Sequence, residues 1–248
     1  MLVEVLLVAV VSGFVQGLSG FAFALVATSF WAWMLAPQQV VPLVVMGSLL
    51  GQLTSILSVR AHIKPARVAP FLIGGLIGVP FGAAVLHALN AQLFRAIFGV
   101  GLIVYCSLML RAERLPKVEA SRPVDGSVGL ASGVLTGACG MGGPPLTLWC
   151  SMRNWDMAAQ RATFQSFFVV TQIQVIAIYA WQGLIDRSLL VMFLGVAPGI
   201  VAGAWIGSHV GRRFTERRFQ RTVFMLLLAS GVMMVSPLVL RGAKALLA

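Results

Sequence analysis

Apolar and polar positions alternate along this chain on the scale of a membrane rather than of a soluble core. Six windows, 41–59, 68–86, 93–110, 162–181, 188–208 and 220–240, are mostly apolar over about 20 residues each, the length a helix needs to cross a ~30 Å hydrocarbon layer. Short polar breaks separate them. The runs are too long and continuous for barrel strands, and lipid leaves backbone N–H and C=O groups no outside partner, so the pattern predicts helices. Two further apolar stretches, 5–34 and 127–150, are interrupted by glycines, giving about eight apolar segments in all.

The same interruption occurs twice. Ser12-Gly13-x-x-x-Gly17-x-x-Gly20 returns 120 residues later as Ser132-Gly133-x-x-x-Gly137-x-x-Gly140. Farther along, Gly74-x-x-x-Gly78-x-x-x-Gly82 answers Gly195-x-x-x-Gly199-x-x-x-Gly203, followed by Gly207, and Arg95-x-x-Phe98 answers Arg221-x-x-Phe224. Matches at a near-constant offset mark a duplicated unit. The chain divides into a first repeat, 1–110, a polar linker, 111–126, holding Pro116 and Pro123, and a second repeat, 127–248. The glycine ladders let backbones approach closely, so those helices are expected to cross the interrupted segments or one another.

Composition agrees with the pattern. Hydrophobic residues make up 59% and charged residues 10%, with a mean hydropathy of +0.94, which excludes a water-soluble globule. A net charge of +11 would suit nucleic acid, but the basic residues sit in short loops between apolar windows, so no nucleic-acid partner is expected. If all eight segments crossed, the 18 Lys and Arg would divide 10 to 8 between the faces. If 5–34 and 127–150 dip to mid-membrane and return, the loops around 60–67, 111–125, 151–161 and 210–221 share one face with 14 of the 18. That bias makes those loops cytoplasmic. A leg of a dozen helical residues rises about 18 Å, enough to reach the bilayer middle without crossing it. The expected fold is therefore an all-α polytopic membrane protein of two inverted repeats, each a glycine-broken re-entrant helical hairpin plus three transmembrane helices.

Several smaller features refine this reading. Glu4 and the absence of any positive charge before Arg60 give no cationic n-region, so the opening segment reads as retained. Cys106, Cys139 and Cys150 lie in apolar segments without CxxC spacing and read as small core residues, with neither disulfides nor a metal site implied. Trp31, Trp33, Trp149, Trp155, Trp181 and Trp205 fall near segment ends like an aromatic belt, and the first four read as surface anchors of the two hairpins.

The glycine turns also carry a resemblance. Gly13-Phe-Val-Gln16-Gly17-Leu-Ser-Gly20-Phe-Ala-Phe-Ala-Leu in the first half and Gly133-Val-Leu-Thr-Gly137-Ala-Cys-Gly140-Met-Gly142-Gly143-Pro144-Pro145 in the second, with Arg60-Ala-His62-Ile63 and Arg161-Ala162-Thr163, run through nearly the whole chain. In these residues it resembles the sulfite exporter TauE/SafE family of membrane permeases, also called the toluene-sulfonate uptake permease family. One departure is Phe21-Ala22, where many members continue with glycines. The resemblance implies transport of small, often sulfur-bearing, organic or inorganic anions.

The motif supports an anion site on physical grounds as well. A leg that starts at a hairpin tip presents unpaired N–H groups and the positive end of its dipole to the membrane centre. Pro144 and Pro145 suit the first turn of such a leg, and Gly140, Gly142 and Gly143 let backbone approach a ligand. Amides and hydroxyls can donate to sulfonate oxygens without a fixed counter-charge. The candidate substrate-binding residues are Gln16, Gly17, Ser19 and Gly20 at the first turn, and Thr136, Gly137, Gly140, Gly142, Gly143 and Pro144 at the second. Arg161 and Gln165, opening the sixth segment, complete the set. Gln52, Ser166, Gln172 and Gln174 also interrupt apolar windows, where helix-to-helix hydrogen bonds are their simplest use.

None of the seven acids falls mid-window, which argues against a carboxylate relay or a carboxylate sodium site. His62, His87 and His209 lie at window ends and read as interfacial. No HExxH, GxSxG or paired acids point to an enzyme, and no cofactor is implied. The pattern thus predicts a secondary carrier of a small anion in a bacterial-type inner membrane, working by alternating access at a midplane site, and the resemblance implies that the anion is a sulfur-bearing oxyanion or organosulfonate. A coupling ion, proton or sodium, and a homo-oligomer are compatible partners. An anion channel, or a carrier of an unrelated small solute, is the alternative that the same architecture allows.

Overall fold

The computed structural model describes residues 2–56, 59–111, 116–211 and 216–246. Glu113, Arg114, Arg212 and Arg213, assigned above to loops, lie outside them. Among the described residues there are ten α-helices, a 3-10 turn at Arg60–His62 and no strand. The helices are α1 (Leu2–Ser19), α2 (Phe23–Trp31), α3 (Pro37–Ile56), α4 (Pro65–Leu86), α5 (Ala91–Met109), α6 (Arg122–Cys139), α7 (Gly143–Met152), α8 (Met157–Trp181), α9 (Arg187–Gly211) and α10 (Glu216–Leu246). Local chemistry sets several boundaries. Asn90, Asp156 and Asp186 accept the backbone N–H of Leu93, Ala159 and Leu189 at 2.8, 2.6 and 2.7 Å, capping α5, α8 and α9. Prolines occupy the first turns of α4 and α6, where a missing N–H costs nothing.

Four helices are long and apolar enough to cross a membrane: Pro65–Leu86, Ala91–Met109, Met157–Trp181 and Arg187–Val210. Two of the six predicted windows are not among them. α3 interrupts its apolar length with Gln38, Gln39, Ser48, Gln52 and Thr54, while the described apolar part of α10, Arg221–Ser236, is shorter. α3 is instead the enclosed helix, with Val40, Val41, Leu43, Val44 and Val45 all buried. The outward faces of α4, α5 and α9 expose Ile73, Ile77, Phe81, Val100, Val104, Val191 and Leu194, an apolar coat that suits lipid.

Of the helix pairs that join one half of the chain to the other, three are the most extensive. α4 lies along α6, so close that a Cβ on Gly74, Gly78 or Gly82 would collide with the carbonyl of Gly126, Leu130 or Val134. α1 lies along α9 in the same manner, Gly13 against Ile200, Gly17 against Ala204, Gly203 against Val10 and Gly207 against Phe14. Residue numbers rise together in both pairs, so each runs parallel. α5 and α10 run antiparallel, with Gly99 on Gly231 and the rings of Tyr105 and Phe224 5.8 Å apart. The glycine ladders therefore serve close packing of helix on helix.

Each interrupted segment doubles back. α7 returns along α6: Trp149 Nε1 donates to Asp125 Oδ1 at 2.8 Å, and Val118 N donates to Met152 O at 2.8 Å, so both ends of the pair lie together. α2 runs away from its turn, for just beyond α2 Trp33 stacks on Arg95 and Gln38 Nε2 donates to Leu89 O at 3.1 Å, past the end of α4.

One expectation needs correction. Trp31 is not a surface anchor: it is fully buried, its ring 6.0 Å from that of Phe23, whereas Trp33 is exposed and stacks with Arg95 at 4.8 Å. Positions two apart on a helical path point to nearly opposite sides, so both could not face outward. α6 begins at Arg122, inside the stretch 111–126. Asp125 thereby becomes a buried first-turn residue facing Arg153 at 3.7 Å.

Candidate functional site

The first turn is built by Ser19 and Gly20. Ser19 Oγ donates to Val15 O at 2.8 Å and accepts from Ala22 N at 3.2 Å, closing α1 and opening α2 with one hydroxyl. Gly20 has φ 85°, which a side chain resists. A Cβ there would lie 2.9 Å from Gln165 Nε2, placing α8 directly against the turn. Arg161, one turn earlier on α8, reaches Leu18 O at 3.5 Å, over the negative end of α1.

The second turn ends α6 in a left-handed glycine cap. Gly140 has φ 67°, Gly140 N donates to Thr136 O at 2.9 Å, the 5→1 bond of a left-handed cap, and Met141 N donates to Leu135 O at 3.1 Å. Thr136 Oγ1 donates to Ser132 O at 2.7 Å and fills the space a side chain on Gly142 would need. The two tyrosines of the chain both grip this hairpin. Tyr179 donates its hydroxyl to Gly137 O, while Tyr105 pairs with Thr147 Oγ1 at 2.9 Å, which in turn bonds Gly143 O at 2.8 Å.

The turns meet through Phe21. A Cβ on Gly143 would lie 3.6 Å from the Phe21 ring and 3.7 Å from that of Phe168, and Phe21 makes edge contacts with Phe164 and Tyr105 at 5.8 and 6.5 Å. The residue that stood out in sequence only as a departure from glycine thus lies between the hairpins. Of the two legs that start at turns, α2 has a full set of first-turn N–H groups. α7 lacks two of them, because Pro144 and Pro145 follow Gly143.

The sequence-predicted residues fall into three groups. Gln16, Ser19, Gly20, Arg161 and Gln165 gather at the first turn; Thr136, Gly140, Gly142, Gly143 and buried Pro144 gather at the second. Gly17 and Gly137 face α9 and α4 instead, where their missing side chains admit neighbouring backbone. Gln16 donates its Nε2 to Ser48 O at 3.0 Å, and its Oε1 has no partner in the protein. Ser48 itself gave no sequence signal beyond being a polar residue in an apolar window. Cys106, Cys139 and Cys150 are all buried.

Apolar outer faces, polar side chains held inside and two helices broken at glycine define a multi-pass helical membrane protein. The chain belongs to the sulfite exporter TauE/SafE family, whose family model matches residues 5–234. It is 29% identical over 182 residues to the probable sulfite/organosulfonate exporter TauE of Cupriavidus necator, a match spanning 71% of this chain and 70% of that protein. No solved structure matches it.

Proposed function

We propose that the chain is a secondary carrier of a small sulfur-bearing oxyanion or organosulfonate, working by alternating access across a bacterial inner membrane. The observation that carries this reading is the meeting of two glycine-broken hairpins at Phe21, with α8 supplying Arg161 and Gln165 to the first turn. In this reading the anion sits at the α2 and α7 starts, where helix dipoles and free N–H groups favour negative charge. The prolines of α7 make α2 the richer donor. Arg161 draws the anion toward the turn from the face that holds the basic loops.

The directions of the helices support two inverted repeats, 1–110 and 127–248. α1 and α9 run one way, α4, α6 and α8 the other, so each hairpin opens toward the face opposite its counterpart. The membrane potential, negative inside, favours anion efflux, and uptake requires a coupled cation.

The test is flux into vesicles carrying the full chain. Sulfite and methanesulfonate should enter saturably, and vesicles preloaded with unlabelled anion should accelerate uptake of labelled anion. Flux without that counterflow would make the protein a channel, and no flux of either anion would remove the reading. Single cysteines at Trp33 and Lys117 on a cysteine-free background should label from opposite faces.

A further inference from the structure

Polar side chains converge inside the bundle where α1, α3 and α8 meet. Gln16 of α1 donates to Ser48 O at 3.0 Å, and Gln172 of α8 donates to Ser48 Oγ at 2.9 Å. Gln52 lies one turn beyond Ser48 on α3. A Cβ on the intervening Gly51 would lie 2.6 Å from the Gln16 amide, so the bare glycine is what lets that amide rest against α3. Gln165 stands two turns before Gln172, beside Gly20. All five side chains are closed off from solvent, with Gln16 and Gln52 at 0% exposure and Gln172, the most exposed, at 5%.

Their amide oxygens are the ends left wholly unbonded, while Gln16 and Gln172 each commit one of two N–H donors to Ser48. Gln16 Oε1, Gln52 Oε1, Gln165 Oε1 and Gln172 Oε1 have no partner in the protein, against one nitrogen in the same state, Gln52 Nε2. The Gln16 amide cannot be turned round, because its Nε2 faces a carbonyl, which only accepts. Unpaired amide oxygens are costly inside a bilayer. An oxyanion would not relieve that cost, since it needs donors. A hard cation would, because oxygen ligands are what it binds. Amides and a serine hydroxyl do not titrate near neutrality, so these groups cannot hold a proton as a carboxylate does. Nearby charge is sparse. α3 carries no ionisable residue from Pro37 to Ile56, α1 has only Glu4 near its start, and α8 has only Arg161, eleven residues before Gln172, or about 16 Å along the helix.

We infer that α1, α3 and α8 hold a sodium site of neutral oxygens, Gln16 Oε1, Ser48 Oγ, Gln52 Oε1 and Gln172 Oε1. Its use as the coupling site rests on the transport reading above; the binding itself does not. A small ligand set favours the smaller alkali cation, as it does among divalent ions. Sodium bound beside the first turn would offset the charge of the anion that Arg161 and the α2 start attract.

Thermal unfolding of the purified full chain tests the site, in sodium, potassium or choline chloride at constant ionic strength and without sulfur anions. Sodium should raise the midpoint saturably and choline should not. Gln52→Met should weaken the apparent sodium affinity at least tenfold. Gln52→Glu should strengthen it at pH 8 and make it pH-dependent, a gain that a merely structural glutamine would not give. Equal midpoints in sodium and choline would overturn the proposal, as would sodium stabilisation unaffected by Gln52→Met or an unaltered affinity in Gln52→Glu. Sulfite flux in vesicles separates the two readings. Flux without any sodium response removes the site and leaves the carrier, while sodium stabilisation without flux removes the carrier and leaves the site.

Discussion

Replacing Asp125 should loosen one hairpin while leaving the rest of the bundle in place. Its Oδ1 accepts from Trp149 Nε1 at 2.8 Å, and its Oδ2 faces Arg153 Nη2 at 3.7 Å, with the two charged side chains only 9% and 13% exposed. At an effective dielectric of 20 such a pair attracts by about 4–5 kcal/mol, and desolvation offsets much of that. Asp125→Ala leaves an indole N–H without its acceptor and a guanidinium, still held by Ala120 O, without its counter-charge, a loss of about 3 kcal/mol. Asp125→Asn keeps the indole bond and removes the charge, costing about 1–2 kcal/mol. Cys150 is the built-in reporter: it follows Trp149 on α7, is fully buried, and reacts with a thiol reagent only when α7 opens. Cys106, fully buried on α5, is the control. On single-cysteine backgrounds, a 3 kcal/mol loss confined to the hairpin raises the Cys150 labelling rate roughly 100-fold, and the asparagine variant raises it roughly tenfold. Cys106 should label at the wild-type rate. Equal acceleration at both thiols would refute the argument by showing that Asp125 stabilises the whole bundle. No acceleration at either would show that water already compensates the pair.

Two further substitutions probe the packing and the turns. Gly13→Ala places a methyl group 2.5 Å from Ile200 O, where ordinary contact begins at 3.4 Å, so α1 and α9 must part by close to 1 Å. The cost is roughly 1–3 kcal/mol, read as a lower unfolding midpoint, and an unchanged midpoint would contradict the close seam. Gly20→Ala and Gly140→Ala each force a side chain into a left-handed conformation at about 1–2 kcal/mol. The new methyl at position 20 meets Gln165 Nε2 at 2.9 Å, and that at position 140 meets Val44 at 3.2 Å. Anion flux should therefore fall further in Gly20→Ala at comparable loss of stability, and equal flux in the two would detach Gln165 from the site.

What the sequence made legible was whatever depends on local pattern. Apolar length predicted α4, α5, α8 and α9, and the twice-written glycine motif located both helix breaks, because Gly20 and Gly140 are needed wherever the chain turns with positive φ. The start of α6 was also written in local terms, as Pro123 and Asp125 in a first turn after Ser121, but the surrounding charge made the stretch read as linker. Partner choice was not legible. That α4 takes α6 and α9 takes α1 depends on which glycine row meets which backbone, a tertiary matter on which spacing alone is silent. The same holds for Gln16 and Gln172, whose shared dependence on Ser48 arises from three helices far apart in sequence. Trp31 escaped because a residue's nearness to a segment end says nothing about which side of a short helix it occupies.

The crossing of the halves has a consequence for how the protein is made. α1 leaves the ribosome about 180 residues before α9, the helix whose backbone its glycines admit. At synthesis rates of roughly 5–20 residues per second, the first hairpin waits about 10–40 seconds for its neighbour. During that interval Gly13 and Gly17 present a bare groove to the insertion machinery or to lipid. α4 meets α6 far sooner. Biogenesis therefore assembles the core of the second hairpin around a first hairpin still lacking its clamp. A messenger that stalls before α9 would yield an opened, protease-sensitive product rather than a stable half-protein.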